Sequence, residues 1–576
     1  MTQKRSTNAL ARTHNITSIP PGATFLPTLV ETLVCGDLVE GFAPLARGAE
    51  PDPLALSDVT IWVPTRRAAR SLATQFVTRL GNSAALLPRI VTLGDGDEEG
   101  LEVQRFIAGN DLLVPTEAQA IDPFTHTLLL SRLVHGWASA LRENEREMMG
   151  GGDIIMPSSL ADAIGFAGEL GSLMESIATE DIAWSQLDTL DVADHADWWQ
   201  LTLKFLSIAS QAVPSILQER GLEEPARLRG RLIREQAQHY REYGSAGPVI
   251  AAGSTGSIPA TADLLQAIST LPNGVLVLPG LDRDLDPESW AKVDLPDNAK
   301  SEDGTAPGHP QYGLKKLLTS MNLSREHSDI RHITLSAEPD SGRLRVREHI
   351  VSEALRPSAT TDKWQAFATR YTGQQTADAL AGVAIVEARG ERQEALAIAL
   401  ALRETIETEG ATAALVTPDR NLARRVAVEM RRRDIVVDDS AGQPLRNRPA
   451  GTFARLALAT AFGAIDPIAL TGLLKHPDLR LGLPRAKARH GARLLELAIL
   501  RGAVMPPEPG FLEQTAIELR QEIVKALEEE RIPRAHAAIT RMSDDDWSLL
   551  LDFCHRLDAA FELVFADKTK GSQPLA

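Results

Sequence analysis

Two segments of the chain switch cleanly from a strand pattern to a helix pattern. Val59 to Val63 (VTIWV) is an unbroken β-branched and apolar run, stopped by Pro64 and Thr65. Apolar residues then recur at Ala69, Leu72, Ala73, Phe76, Val77 and Leu80. That spacing puts one face of a helix against a core, and Gly81 supplies the usual C-terminal stop. The same switch occurs earlier, from Asn15–Ile19 through Pro20-Pro21-Gly22 to a helix over Phe25–Val34. Ile90 to Leu93 predicts another strand, followed by an acidic loop, Asp95 to Glu99. From Asp122 to Tyr243 the pattern is long amphipathic helices, one of them around Trp198-Trp199-Gln200-Leu201. Strand patterns return at Pro248–Ala252 (PVIAA) and Gly274–Leu278 (GVLVL), so a helical block is expected inside an α/β domain. Asp294–Pro310, rich in Pro, Gly, Asp and Lys, is expected to be a loop.

A second α/β region is predicted from Gly382. Strands are expected at Val383–Val386, Ala413–Val416 and Ile435–Val437, with helices over Glu391–Glu407 and Asn421–Arg433. Beyond Pro449 the pattern is helical, and the tail KTKGSQPLA adds no strong element. VTIWVPTRRAARSL from Val59 echoes AALVTPDRNLARRV from Ala413, as two copies of one strand–turn–helix unit would.

Length and composition add bounds. With about 150 residues per domain, 576 residues suggest several domains. No run approaches the ~20 apolar residues of a membrane helix, and MTQKRSTNALARTHN lacks the apolar core of a secretory leader. Two distant cysteines, Cys35 and Cys554, build neither a disulfide framework nor a metal site, as expected in a reducing cytoplasm. A net charge of −17 argues against indiscriminate nucleic-acid binding, while leaving room for a local basic channel.

The candidate motifs differ in how far they meet their chemistry. A P-loop needs glycines and a lysine around the phosphates. The turn Ser18-Ile19-Pro20-Pro21-Gly22-Ala23-Thr24 has one glycine and no lysine. Pro20 and Pro21 have no N–H to donate, so ATP hydrolysis is not expected there. The acids at Asp95–Glu99 are spread along a loop, unlike a strand-end magnesium site. Ala252-Gly253-Ser254-Thr255-Gly256 resembles a serine-nucleophile elbow, with Asp282 and His309 downstream. Pro259, which reads as the first helical residue, separates Ser254 from the helix that an elbow needs. The histidines show no paired ligand spacing. Arg66, Arg67 and Arg70 crowd the start of the helix that Thr65 would cap, where the helix dipole disfavours cations. Two readings stand: an anion such as phosphate sits there, or the arginines form a solvated face with acidic partners. The second copy carries Arg420, Arg424 and Arg425, and Arg425, Glu429 and Arg433 fall at ladder spacing.

Several blocks resemble the AddB family of bacterial DNA-end-processing subunits, of the alphaproteobacterial type. They are SIPPGATFLPTL, DPLALSDVTIWVPTRRAARSL, LLPRIVTLGD, GHPQYGLKKLL, VEARGERQEALAIALALRETIE and VTPDRNLARRVAVEM. The last also resembles the fourth motif of UvrD-like helicases. The resemblance implies an α/β, superfamily-1 helicase-like fold: two RecA-like domains with degenerate motifs and large helical insertions. In this chain they would fall as follows: residues 1–121 and 244–340 form the first RecA-like domain, and 122–243 a helical insertion. Residues 341–381 connect, 382–450 are part of the second RecA-like domain, and 451–576 are helical. It implies a cytoplasmic, non-motor, DNA-binding subunit that works with an AddA-type motor–nuclease partner on duplex ends and single strands during double-strand-break repair. Thr65, Arg66, Arg67 and Arg70 fall where such helicases touch the DNA backbone, and Arg424, in the corresponding second-domain helix, is expected to bind DNA as well. Arg420 falls at an ATP-facing position, without a P-loop to serve. The family's nuclease metal site and iron–sulfur cluster would lie beyond Ala576, so no cofactor is expected in these residues and the chain reads as truncated. The alternatives are an inactive scaffold without DNA binding and a serine hydrolase using Ser254.

Overall fold

The structure, a computed structural model, describes residues 13–44, 54–81, 85–93, 119–140, 159–189, 196–295, 305–333, 341–462, 466–501, 511–533, 535 and 537–568. The Asp95–Glu99 loop, most of the expected 294–310 loop and the end of the tail lie outside these residues. The chain divides into two compact units, Met1–Ala384 and Ile385–Ala576. Among the described residues, no helix is long and apolar enough to cross a membrane.

The first unit is built on a parallel six-stranded sheet. In chain order its strands are β1 (Ile16–Ile19), β2 (Thr60–Val63), β3 (Arg89–Thr92), β6 (Val249–Ala252), β7 (Gly274–Pro279) and β8 (Ile330–His332). A separate pair, β4 (Gln119–Ala120) and β5 (Leu222–Glu223), brackets the helical block ahead of its last helix. The sheet order is β3-β2-β6-β7-β1-β8, parallel throughout. Both faces are covered, which is why these strands are continuous apolar runs without polar alternation. One face carries Ile61, Val63, Ile250, Ala252, Val275 and Val277 under α1 (Phe25–Val34) and α2 (Arg66–Leu80). The other carries Trp62, Val249, Ala251, Leu276 and Leu278. Against it pack α6 (Pro225–Tyr243), α7 (Pro259–Thr270) and α9 (Tyr312–Ser320).

The helical block between β3 and β6 begins with α3 (Pro123–Ala140), α4 (Leu160–Thr179) and α5 (Ala196–Glu219). These share a core of their own, including Leu130, Val134, Ala167, Met174 and Val213. Its last helix, α6, belongs to the sheet layer instead: Ile233, Ala237 and Tyr240 are buried on it, and the Trp62 indole donates to the Tyr240 hydroxyl at 3.2 Å. After β7 come α8 (Pro287–Lys292) and α9, and after β8 come α10 (Ser341–Ala354), α11 (Trp364–Phe367) and α12 (Gly373–Ala379).

The second unit corrects one expectation. The predicted helices form as α13 (Glu391–Ile406) and α14 (Arg420–Arg431), packed through Ala395, Ala399, Val426 and Met430. Strands at Val383–Val386, Ala413–Val416 and Ile435–Val437 do not: all three segments are without ladder pairing. Leu415, Ile435 and Val437 lean on the helices, but Ile385, Val416 and Val436 are about nine-tenths exposed. An apolar β-branched pattern becomes a strand only where a neighbour takes its N–H and C=O groups, and the described residues supply none. The echo between Val59 and Ala413 therefore holds for the turn and helix and not for the strand. The remainder is helical: α15 (Pro449–Phe462), α16 (Pro467–Lys475), α17 (Arg485–Leu495), α18 (Leu512–Glu528) and α19 (Asp544–Lys568). Their shared core includes Leu473, Leu495, Leu512, Phe553 and Leu557.

Candidate functional site

In an open parallel sheet, ligands meet the carboxyl ends of the strands. Here that edge brings together the turns after β1, β2, β6 and β7. β2 runs into Pro64 and Thr65, and α2 starts at once. Thr65 is extended (φ −140°, ψ 156°), and its hydroxyl accepts the Ala68 N–H at 3.1 Å. Thr65 is thus an N-cap, as its position required. Leu72 and Phe76 are fully buried and fix the helix on the sheet; each such side chain contributes about 1.5–3 kcal/mol. Arg66, Arg67 and Arg70 are exposed on the opening turns, with no acidic residue in the first turn. Arg70 has no ion pair among the described residues. At the far end of α2, Arg79 meets Glu31 at 2.5 Å.

In the turn after β1 a backbone donor is satisfied from within the fold. The Ala23 N–H bonds back to the Pro20 carbonyl at 3.0 Å, and the Gly22 N–H donates to Oε1 of Glu348 on α10 at 3.0 Å. The Gly22 N–H, a backbone donor that could face an anion at the start of a helix, is therefore already taken by a side-chain carboxylate. Further polar ties hold α10 there. Arg345 forks onto Asp284 at 2.5 and 2.6 Å and reaches Glu348 at 3.3 Å. The Ser352 hydroxyl donates to Asp282 at 2.7 Å. Arg347 donates to the carbonyls of Ala379 and Ala381, at the end of α12. Between α10 and the strand ends remains a cavity of about 690 Å³, reached by Pro20, Pro21, Gly22, His309 and His332 among others.

The serine-elbow constellation is not assembled. The Ser254 hydroxyl accepts the Gly256 N–H at 3.3 Å, closing a turn with Gly253 at φ 80° and Gly256 at φ 61°. A Cβ at Gly256 would lie 2.7 Å from Leu317, so the turn is glycine for conformation and space alike. His309 Nδ1 accepts the Gln311 N–H at 3.1 Å, and Asp282 is engaged by Ser352 and by the N–H groups of Asp284 and Leu285. Burial holds His309 below its ordinary value despite the nearby Asp282. Among the described residues no hydrogen bond joins Ser254 to either partner. Nor do they contain a group of three His, Cys, Asp or Glu side chains able to hold a metal ion.

The second-unit candidates have local partners. Arg420 forks onto Asp439 at 3.0 and 2.8 Å and also donates to the Gly442 carbonyl. Arg424 is exposed and donates to Asn421 at 3.2 Å. Of the expected ladder, Arg433 meets Glu429 at 3.2 Å, while Arg425 turns to Glu391 at 2.7 Å. The start of α14 is thus charge-balanced by Asp419, its cap, and by Asp439. Glu348 was invisible to sequence reasoning: it lies 326 residues from Gly22, with no local signal linking the two. No protein-family model and no curated protein matches this chain.

Proposed function

We propose that the chain is the non-motor, DNA-binding, helicase-like part of an AddB-type subunit, acting beside a separate motor in the processing of broken DNA ends. The observation that carries this reading is the opening of α2: an N-cap threonine and three exposed arginines at the carboxyl edge of a parallel sheet. Guanidinium forks and helix-start N–H groups suit the phosphate backbone and position DNA without reading its sequence. The closed turn after β1 supports the non-motor part. Two prolines remove N–H donors, and Glu348 takes the Gly22 N–H that a nucleotide phosphate would need. The order of sequence blocks resembling the AddB family supports the assignment to that type of machine.

The net charge of −17 favours the second reading, a scaffold without DNA binding. Fluorescence anisotropy of a labelled duplex carrying a single-stranded tail separates the two. The DNA-binding reading expects saturable binding that weakens steeply with salt. Absence of salt-dependent binding, with the chain folded, sinks it in favour of the scaffold. Steady ATP turnover by the isolated chain would overturn the non-motor assignment.

A further inference from the structure

The second unit holds a cluster of cations that the α2 reading does not use. α17 has the sequence RAKARHGARLL, and Ala488, Gly491, Ala492, Leu494 and Leu495 form its buried side. Gly491 lets the helix sit close on α19, since a Cβ there would lie 2.7 Å from the Phe553 ring. Arg485, Lys487, Arg489 and Arg493 are left exposed, and the first turn holds no acid. α17 passes directly into a π-helical turn, Glu496–Leu500, a rare distortion that is frequent at functional sites. A groove of about 490 Å³ opens there, and its charged lining is Lys475, Arg489, Arg493, Arg501 and Glu496.

The charges in this groove do not balance. Glu496 is shared by Arg501 at 2.8 Å and Lys475 at 3.3 Å, and these two cations hold its carboxyl below the ordinary range. The groove's one carboxylate is therefore ionised and already engaged. Arg489 and Arg493 have no ion pair among the described residues, although their i, i+4 spacing makes them repel. Four cations around one carboxylate make this surface locally positive on a chain of net charge −17. Exposed Arg485, one turn before Arg489 on the same face, continues the positive charge along the helix beyond the groove, so it suits an extended polyanion better than a single small ion.

We propose that this groove is a second phosphodiester-binding surface, in which Arg489 and Arg493 grip the backbone of a nucleic acid while Glu496 holds Lys475 and Arg501 in place. It rests on the DNA-binding reading above, which is why a nucleic acid is chosen over an acidic polypeptide.

The test uses the full chain, a fluorescein-labelled duplex with a single-stranded tail in two unrelated sequences, and fluorescein-labelled polyglutamate. Arg489→Gln/Arg493→Gln should weaken DNA binding equally for both sequences. It should lower the salt slope by about 1.8 on duplex, at 0.9 for each phosphate no longer neutralised. Arg489→Lys/Arg493→Lys should keep most of the slope. Both positions are exposed, so folding is retained, which circular dichroism checks; Arg493→Gln alone should show about half the fall in slope. An unchanged slope in the glutamine pair, while Arg66→Gln/Arg67→Gln/Arg70→Gln lowers it, overturns the groove and leaves the α2 reading standing. Loss of polyglutamate binding with DNA binding intact makes the groove a site for acidic protein and overturns the proposal. If the wild-type chain binds no DNA even at low salt, both readings fall together.

Discussion

Replacing Glu348 with alanine should loosen α10 at the edge of the sheet. The carboxylate accepts the Gly22 N–H at 3.0 Å and is only 14% exposed, so this is a charged hydrogen bond in a half-dry setting. Such bonds contribute about 1.5–3 kcal/mol. The Arg345 interaction at 3.3 Å adds less, because Arg345 is half exposed and also forks onto Asp284. About 2–3 kcal/mol for local opening of α10 corresponds to a drop in amide protection of roughly 30- to 150-fold. Native-state hydrogen exchange followed by mass spectrometry reads this directly in peptides covering residues 342–354. Glu348→Gln retains an acceptor for Gly22 and should lose only part of the protection. Peptides from β2 and β3, at the other end of the sheet, should not change. Equal protection of α10 in wild type and Glu348→Ala would refute the idea that this carboxylate seals the turn.

Three further outcomes follow from the packing. Tyr240→Phe leaves the buried Trp62 N–H without its acceptor and should cost about 1–3 kcal/mol in urea unfolding; an unchanged midpoint contradicts the α6-on-sheet packing. Asp286 caps α8 and bonds to Lys363, Arg356 and Ser289; burial opposes its ionisation, but these partners outweigh it and hold the carboxyl well below 3.8. Because the folded-state value is depressed, its contribution is full above 3.8 and fades as pH falls through the folded value. The stability gap between wild type and Asp286→Asn should therefore shrink on acidification, and a pH-independent gap counts against the network. Gly491→Ala forces a methyl into Phe553 and should lower the thermal midpoint, by about 1–3 kcal/mol of stability, with no change if the helices separate freely.

Where local chemistry decides the structure, the sequence was informative. The β-branched run at Thr60–Val63, the Thr65 cap, the period of Leu72 and Phe76 and the Gly81 stop each act within a few residues, and that unit formed as expected. β8 is not legible in the sequence because three residues, Ile330-Arg331-His332, carry too little pattern; its place is set by pairing with β1. The opposite error arises at Val416 and Val436, where a strand-like pattern has no neighbour to pair with. The arginines of α2 could be placed from the sequence, since a cap and a helical period put them on an exposed opening turn. Glu348 could not, because only the fold brings α10 over Gly22. The α17 groove leaves a readable trace in its one-sided basic pattern, but the contributions of Lys475 and Arg501 need the helix packing.

The central claim is that the carboxyl edge of the sheet holds DNA through the start of α2. Its most direct test is a salt titration of duplex binding by the full chain, comparing wild type with Arg66→Gln/Arg67→Gln/Arg70→Gln. The account predicts a weaker complex for any sequence and a slope smaller by up to about 0.9 for each phosphate that the arginines neutralise, in a protein that still folds. The same affinity and the same slope in both proteins would contradict it.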